Sequence, residues 1–187
     1  WLNGFVDRDQ LTRELEELKA KGLGGAIIWD VGSLRDPNKI IPAGPAFLGP
    51  ESVASISHAI DQAGRLGLEL GLFASSSWNA GGAWITPENA SRQLLCREIE
   101  VQGPGRVRTT VPLPDGVTAH WKDVAVLAVP AGGAAVDISD RMDPQGRLEW
   151  DAPAGASRIM RFVASQTGQT LECPSPNSDG LIIDHLS

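Results

Sequence analysis

The first part of the chain switches between two hydrophobic periods. Leu11, Leu15 and Leu18 recur at helical spacing and predict a helix from about Asp7 to Lys21. Asp7 supplies an N-cap, Gln10 completes a capping-box-like pair, and Gly22 marks the stop. A second helix is expected from about Glu51 to Leu66, with Val53, Ile56, Ile60 and Ala63 as its apolar stripe. Between and after these helices the runs are mainly apolar: Gly24–Asp30 and Leu68–Phe73 read as buried parallel strands, and Trp1–Val6 as a strand before them. Residues 1–74 therefore predict βαβαβ with right-handed crossovers.

From about Glu98 the texture becomes alternating and β-branched. Candidate strands lie at Arg106–Leu113, Asp123–Val129, Ala134–Ile138, Arg147–Trp150 and Ser157–Ser165. Pro114-Asp115-Gly116, Asp143-Pro144-Gln145-Gly146 and Pro153-Ala154-Gly155 announce the turns of an antiparallel module. After a loop at Pro174–Gly180, Leu181–Asp184 reads as a return to a short buried strand ending in an acid. The expected organisation is βα units over 1–97, an inserted β-rich module over 98–170, and a loop with a fourth strand over 171–187.

The richest chemistry lies in Gly71–Glu88, where an apolar strand runs into three serines, Trp78, Asn79, a glycine pair and Trp84. A sugar ring offers C–H faces to an indole and hydroxyls to short polar groups, and glycine lets the backbone come close. The plain alternative is a glycine-rich turn with a tryptophan packed into the core. Position favours a site, because ligands gather at the carboxyl ends of parallel strands, where Asp30, Ser75 and Asn79 are placed. No GxGxxG or GxxxxGK[ST] follows any strand, so a nucleotide has no phosphate cradle. The candidate substrate-binding residues are Asn3, Asp30, Ser77, Trp78, Asn79, Trp84, Asp184 and His185. Asn3 is equally explained as a turn former before Gly4, and Asp30 by a structural partner for a buried carboxylate. Thr86 reads as a helix cap, while Glu51, Glu88 and Glu172 have simpler places at a helix start or in exposed loops.

Composition narrows the partners. A formal charge of −7 over 187 residues argues against nucleic acid or an anionic membrane surface and suits a neutral ligand such as a glycan. No apolar run approaches the roughly 20 residues of a membrane helix. Cys96 and Cys173 are too few for a disulfide scaffold, and Cys96, beside Leu94 and Leu95, is expected as an inert buried thiol on an apolar helical face. There is no HExxH or EF-hand spacing, and His58, His120 and His185 are scattered.

Several ordered blocks together carry a family resemblance. They are Trp1-Leu2-Asn3-Gly4, Leu23–Gly32, Gly67–Leu72, Ser77–Glu88, Asp151–Gly155 leading into Arg158–Phe162, and Gly180–Ser187. On these the chain resembles the glycoside hydrolase family 106 α-L-rhamnosidases. The resemblance implies an α/β fold, the first three to four strands of a partial (β/α)8 TIM-type barrel interrupted by an antiparallel β-rich insertion. It also implies an inverting, exo-acting enzyme that removes terminal rhamnose from a glycan, binds calcium and is secreted or periplasmic. The sequence opens at Trp1 and ends at Ser187, so on this resemblance it is the N-terminal part of the catalytic region. The catalytic glutamates are then expected beyond Ser187, and this chain supplies sugar-binding residues. The sequence departs from the family pattern at Phe73–Asn79, where many members carry asparagine and proline-glycine before the tryptophan, and at His185, where lysine is common. A non-catalytic glycan-binding protein on a degenerate barrel and an exo-glycosidase of another specificity remain the alternatives.

Overall fold

The computed structural model describes residues 1–34 and 38–185. Two compact units emerge. Unit 1 comprises Trp1–Asn89 and Gln169–Ser187, and unit 2 is the continuous stretch Ala90–Gly168. The final two residues of the closing block, Leu186 and Ser187, lie outside the described residues.

Unit 1 holds helix α1 (Arg8–Ala20), strand β1 (Gly25–Asp30), helix α2 (Pro50–Leu66), β2 (Glu69–Ser76), β3 (Gly81–Gly82) and, after unit 2, β8 (Leu181–Ile182). Asp7 caps α1 by accepting the Gln10 backbone N–H at 2.8 Å, which satisfies a donor the helix itself leaves orphaned. The Gln10 side chain does not close the expected box; it donates to Glu14 Oε1 one turn on. Gly67 ends α2 in the left-handed region at φ 62°, the usual office of a terminal glycine. Leu15, Ala63 and Leu68 form one small core with Leu11 and Leu18, while Ile28, Phe47, Ile56 and Ala59 form another. The α2 stripe is rotated from the expected one: Ala59 is buried, but Val53 and Ile60 are 45% and 55% exposed.

β1 and β2 pair in parallel from Gly25↔Glu69 to Asp30↔Ser76, with an irregularity between Ile28 and Asp30. Gly25 cannot carry a side chain here, because a Cβ would strike the Glu69 carbonyl.

The expected partial barrel is not what the chain forms. Parallel pairing stops at two strands, and among the described residues no sheet closes. Trp1–Val6 is not a strand: Leu2 makes one parallel bridge to Val31, then Asn3 (φ 58°) and Gly4 (φ 70°) turn the backbone away. Leu181–Asp184 does not return as a parallel strand either. β8 runs antiparallel to β3, which suits the Gly81-Gly82 pair because side chains there would collide with the Leu181 carbonyl and the Trp84 ring.

Unit 2 is one antiparallel sheet in the order β4-β7-β5-β6, built from β4 (Arg92–Thr110), β5 (Trp121–Pro130), β6 (Val136–Asp137) and β7 (Arg147–Gln166). The β4–β7 ladder begins at Arg92↔Gln166. Just beyond it the Ser91 and Thr167 hydroxyls lie 2.6 Å apart, and the Thr167 N–H donates to the Ser91 carbonyl at 2.9 Å. Val101, Val111, Val126, Ala128, Ile138, Leu148 and Ile159 make the core. The helical reading of the Leu94–Cys96 stretch is also overturned. These residues begin the long β4 strand, and Cys96 is exposed rather than buried. Arg97 stands opposite Arg161, which is 2% exposed and makes a two-pronged pair with Asp123 at 2.7 and 2.9 Å. A guanidinium on the core row hides the alternation from a reading of hydrophobicity alone.

Candidate functional site

The carboxyl ends of β1 and β2 carry a sealed polar layer with an open aromatic group beside it. Asp30 closes β1 and is 1% exposed, the one buried carboxylate among the described residues. A buried carboxylate needs donors, and Ser175 supplies one from the returning segment of unit 1, its hydroxyl 2.6 Å from Asp30 Oδ1. The Ser175 backbone N–H donates to Ser76 Oγ at 2.7 Å, so the same residue is tied to both strand ends. Ser77 donates its N–H to the Asp30 carbonyl at 3.0 Å, and its hydroxyl donates to the Glu172 carbonyl. Ser75 donates to the Asn79 carbonyl at 2.6 Å. Ser75, Ser76 and Ser77 are at most 1% exposed, so their hydroxyls hold the backbone in place.

The aromatic group faces outward. Trp29 donates its indole N–H to the Ser77 carbonyl at 2.9 Å, which fixes its ring plane. Its ring centroid is 5.8 Å from Trp78, edge to face at 87°, and 5.8 Å from Phe73 at 47°. Such offset and edge-on pairs are the favoured aromatic geometries. Trp29, Trp78 and Phe73 remain 40%, 40% and 37% exposed, enough open ring for a ligand to stack on.

The sequence candidates fall in different places. Trp78 lies in the aromatic group, and Asp30 and Ser77 lie in the sealed layer beneath it. Asn79 is half-buried and meets the layer through its carbonyl. Asn3 spends its side chain on backbone, accepting from Ser33 N–H at 2.7 Å and donating to the Ile41 carbonyl at 3.3 Å. Trp84, half exposed with its ring against Gly82, sits at the β3–β8 sheet. Asp184 follows β8 and donates its N–H to the Asn89 carbonyl at 2.8 Å, and His185 beside it is exposed. Trp29, Phe73 and Ser175 were missed. Trp29 and Phe73 were visible as bulky residues within the strands, but nothing local marks Ser175, which meets Asp30 across 145 residues of sequence.

A hard cation such as calcium takes six to eight oxygen ligands. Among the described residues no group of three or more His, Cys, Asp or Glu comes together to hold a metal. Asp30 stands alone and is already engaged by Ser175. These residues do not fit a calcium site by themselves. No described helix is long and apolar enough to cross a membrane.

A solved rhamnosidase from Novosphingobium sp. PP1Y superposes with a TM-score of 0.75 at 17% identity, over 98% of this chain and 34% of that one. A curated protein of Formosa agariphila, provisionally named a beta-glucuronidase, is 26% identical over all of this chain and 19% of its own length. The chain thus spans about a third or less of the relatives it matches. The profile of glycoside hydrolase family 106, described as alpha-L-rhamnosidase, matches residues 1–133 and 128–187. The chain belongs to glycoside hydrolase family 106, the alpha-L-rhamnosidase family.

Proposed function

We propose that this chain supplies part of the sugar-binding surface of an exo-acting glycosidase that removes terminal α-L-rhamnose with inversion at the anomeric carbon. The observation that carries the reading is the exposed Trp29, Phe73 and Trp78 group, anchored at strand ends by the Trp29 to Ser77 hydrogen bond. Rhamnose is a 6-deoxy sugar, and its methyl group and C–H face suit an aromatic surface better than a fully hydroxylated ring does. The sealed serine layer keeps that surface rigid, so little ordering cost falls on binding.

Acid–base work is assigned elsewhere. An inverting glycosidase needs two carboxyl groups roughly 6.5–9.5 Å apart with room for water between them. Asp30, shut from solvent and bonded to Ser175, does not meet that need. The same reading places any calcium ligands outside the described residues, and no step above depends on the metal. Family membership supports action outside the cytoplasm.

Two measurements test this. Titrating L-rhamnose into the chain should change the fluorescence of its indoles, and Trp78→Ala should abolish most of that response; an unchanged signal at millimolar sugar sinks the binding role. Full-length protein should release p-nitrophenol from the α-L-rhamnopyranoside, with a chelator-treated sample run beside it. The panel includes a β-glucuronide because of the name the Formosa relative carries. Turnover of the glucuronide alone would transfer the specificity and leave the aromatic surface standing.

A further inference from the structure

We infer that unit 2 carries a second saccharide site, a groove for a neutral oligosaccharide between the β4–β7 arm and residues 136–143. Two adjoining hollows of about 670 and 440 Å³ share Asp140, Arg141 and Glu149 as common wall, and each is of the size that takes one or a few sugar rings. Half-buried Met142 lines the first, and the exposed Val136 and half-buried Trp150 line the second; Leu148 and Ile138 behind them are core residues, 2% and 3% exposed.

The walls are planar charged groups set out by strand register. Arg106 and Arg108 on β4 face Asp151 and Glu149 on β7 across the antiparallel ladder. Both Nε atoms converge on one oxygen, Glu149 Oε1, at 2.7 and 3.0 Å, and Arg106 also reaches Asp151 at 3.4 Å. Glu149 Oε2 is left with no protein donor among the described residues. Across the groove, Arg147 at the start of β7 pairs with Asp143 of the facing segment at 2.6 Å, and on that segment Arg141 pairs with Asp140 at 3.3 Å. Exposed pairs of this kind contribute little to stability. They do hold guanidinium and carboxylate planes in place with spare donors and acceptors, which vicinal hydroxyls can use.

Charge selects the ligand class. Four arginines and five carboxylates line the two hollows, so the groove is nearly balanced and offers a polyanion no net attraction. Balanced, oriented polar groups with small apolar surfaces at Met142, Val136 and Trp150 match a neutral sugar, whose ring has an apolar face and a hydroxyl edge. The site is independent of the aromatic surface in unit 1.

The test is run in the Trp78→Ala background, so that binding at the aromatic surface does not contribute. A panel of neutral oligosaccharides and uronic-acid-containing counterparts is screened by glycan array, and hits are measured by titration calorimetry. The groove predicts a neutral hit whose affinity falls about ten-fold or more in Arg106→Gln/Glu149→Gln, the scale of losing hydrogen bonds to charged groups. Both side chains are well exposed, and an unchanged circular dichroism spectrum certifies the fold. No neutral hit, a preference for the uronic-acid glycans, or equal affinity in the double variant overturns the proposal. Failure of the rhamnose titration with success here would sink the unit 1 reading alone.

Discussion

Removing the Asp30 to Ser175 hydrogen bond from either end gives the sharpest test of the sealed layer. Both residues are 1% exposed and their oxygens lie 2.6 Å apart, so water cannot replace the lost partner. A hydrogen bond to a charged group contributes about 1.5–3 kcal/mol, and leaving one end buried and unpaired costs a similar amount. Ser175→Ala strips a buried carboxylate of its donor, and Asp30→Ala strands a buried hydroxyl. Each single variant should lose about 1.5–3 kcal/mol or more, whereas the double variant leaves neither group stranded. The cycle should therefore show a coupling of about 1.5–3 kcal/mol. The Ser175 N–H to Ser76 bond is made by backbone and survives both changes, so the returning segment stays in place. Equilibrium urea unfolding, followed by the fluorescence of Trp29 and its neighbours, supplies the four free energies, with similar slopes expected throughout. Additivity within about 0.5 kcal/mol would refute the reasoning, since it would mean that the two groups do not depend on one another.

The other predictions concern α1 and the ion pairs of unit 2. Asp7→Ala should destabilise unit 1 by about 1 kcal/mol by orphaning the Gln10 N–H, and Asp7→Asn should restore most of it; thermal denaturation of the three proteins decides. The Arg147 backbone N–H, with its guanidinium, holds the Asp143 carboxyl below its ordinary value, and Arg106 followed by Arg108 does the same for Glu149. A depressed folded pKa contributes stability above the unfolded value near about 4 and loses it as pH falls through the folded value, so these pairs weaken only on the acid side. Carboxyl NMR titration should give both midpoints below ordinary Asp and Glu, and midpoints at or above them would contradict the pairing.

The sequence was most readable where one physical rule acted alone. α1 and its cap follow from Leu11, Leu15, Leu18 and Asp7, and β1 and β2 pair in parallel as their apolar runs suggest, but they are not the buried strands expected, since Ile27, Leu72 and Phe73 are 74%, 44% and 37% exposed. Readings failed where a distant partner decided the outcome. Trp1–Val6 looks like a strand by composition, but left-handed Asn3 and Gly4 end it after one bridge. Leu181–Ile182 is apolar enough for a parallel return, yet it pairs antiparallel with the glycine pair of β3, a choice no local pattern encodes. In β4, Arg97 on the inward row makes Leu94-Leu95-Cys96 resemble a helical cluster. At the site, Trp78 stood out by its company of serines and glycines. The Ser77 hydroxyl, which invites a ligand on paper, turned inward to the Glu172 carbonyl.

The Ser91 to Thr167 clasp has a consequence for how this chain can vary. It fastens the two ends of unit 2 side by side, one strand spacing of about 5 Å apart. A segment whose entrance and exit are fastened together carries its own closure, as a hairpin turn does. The stretch between can therefore lengthen, shorten or be exchanged for another sheet so long as the Ser91–Thr167 closure still holds its two ends together.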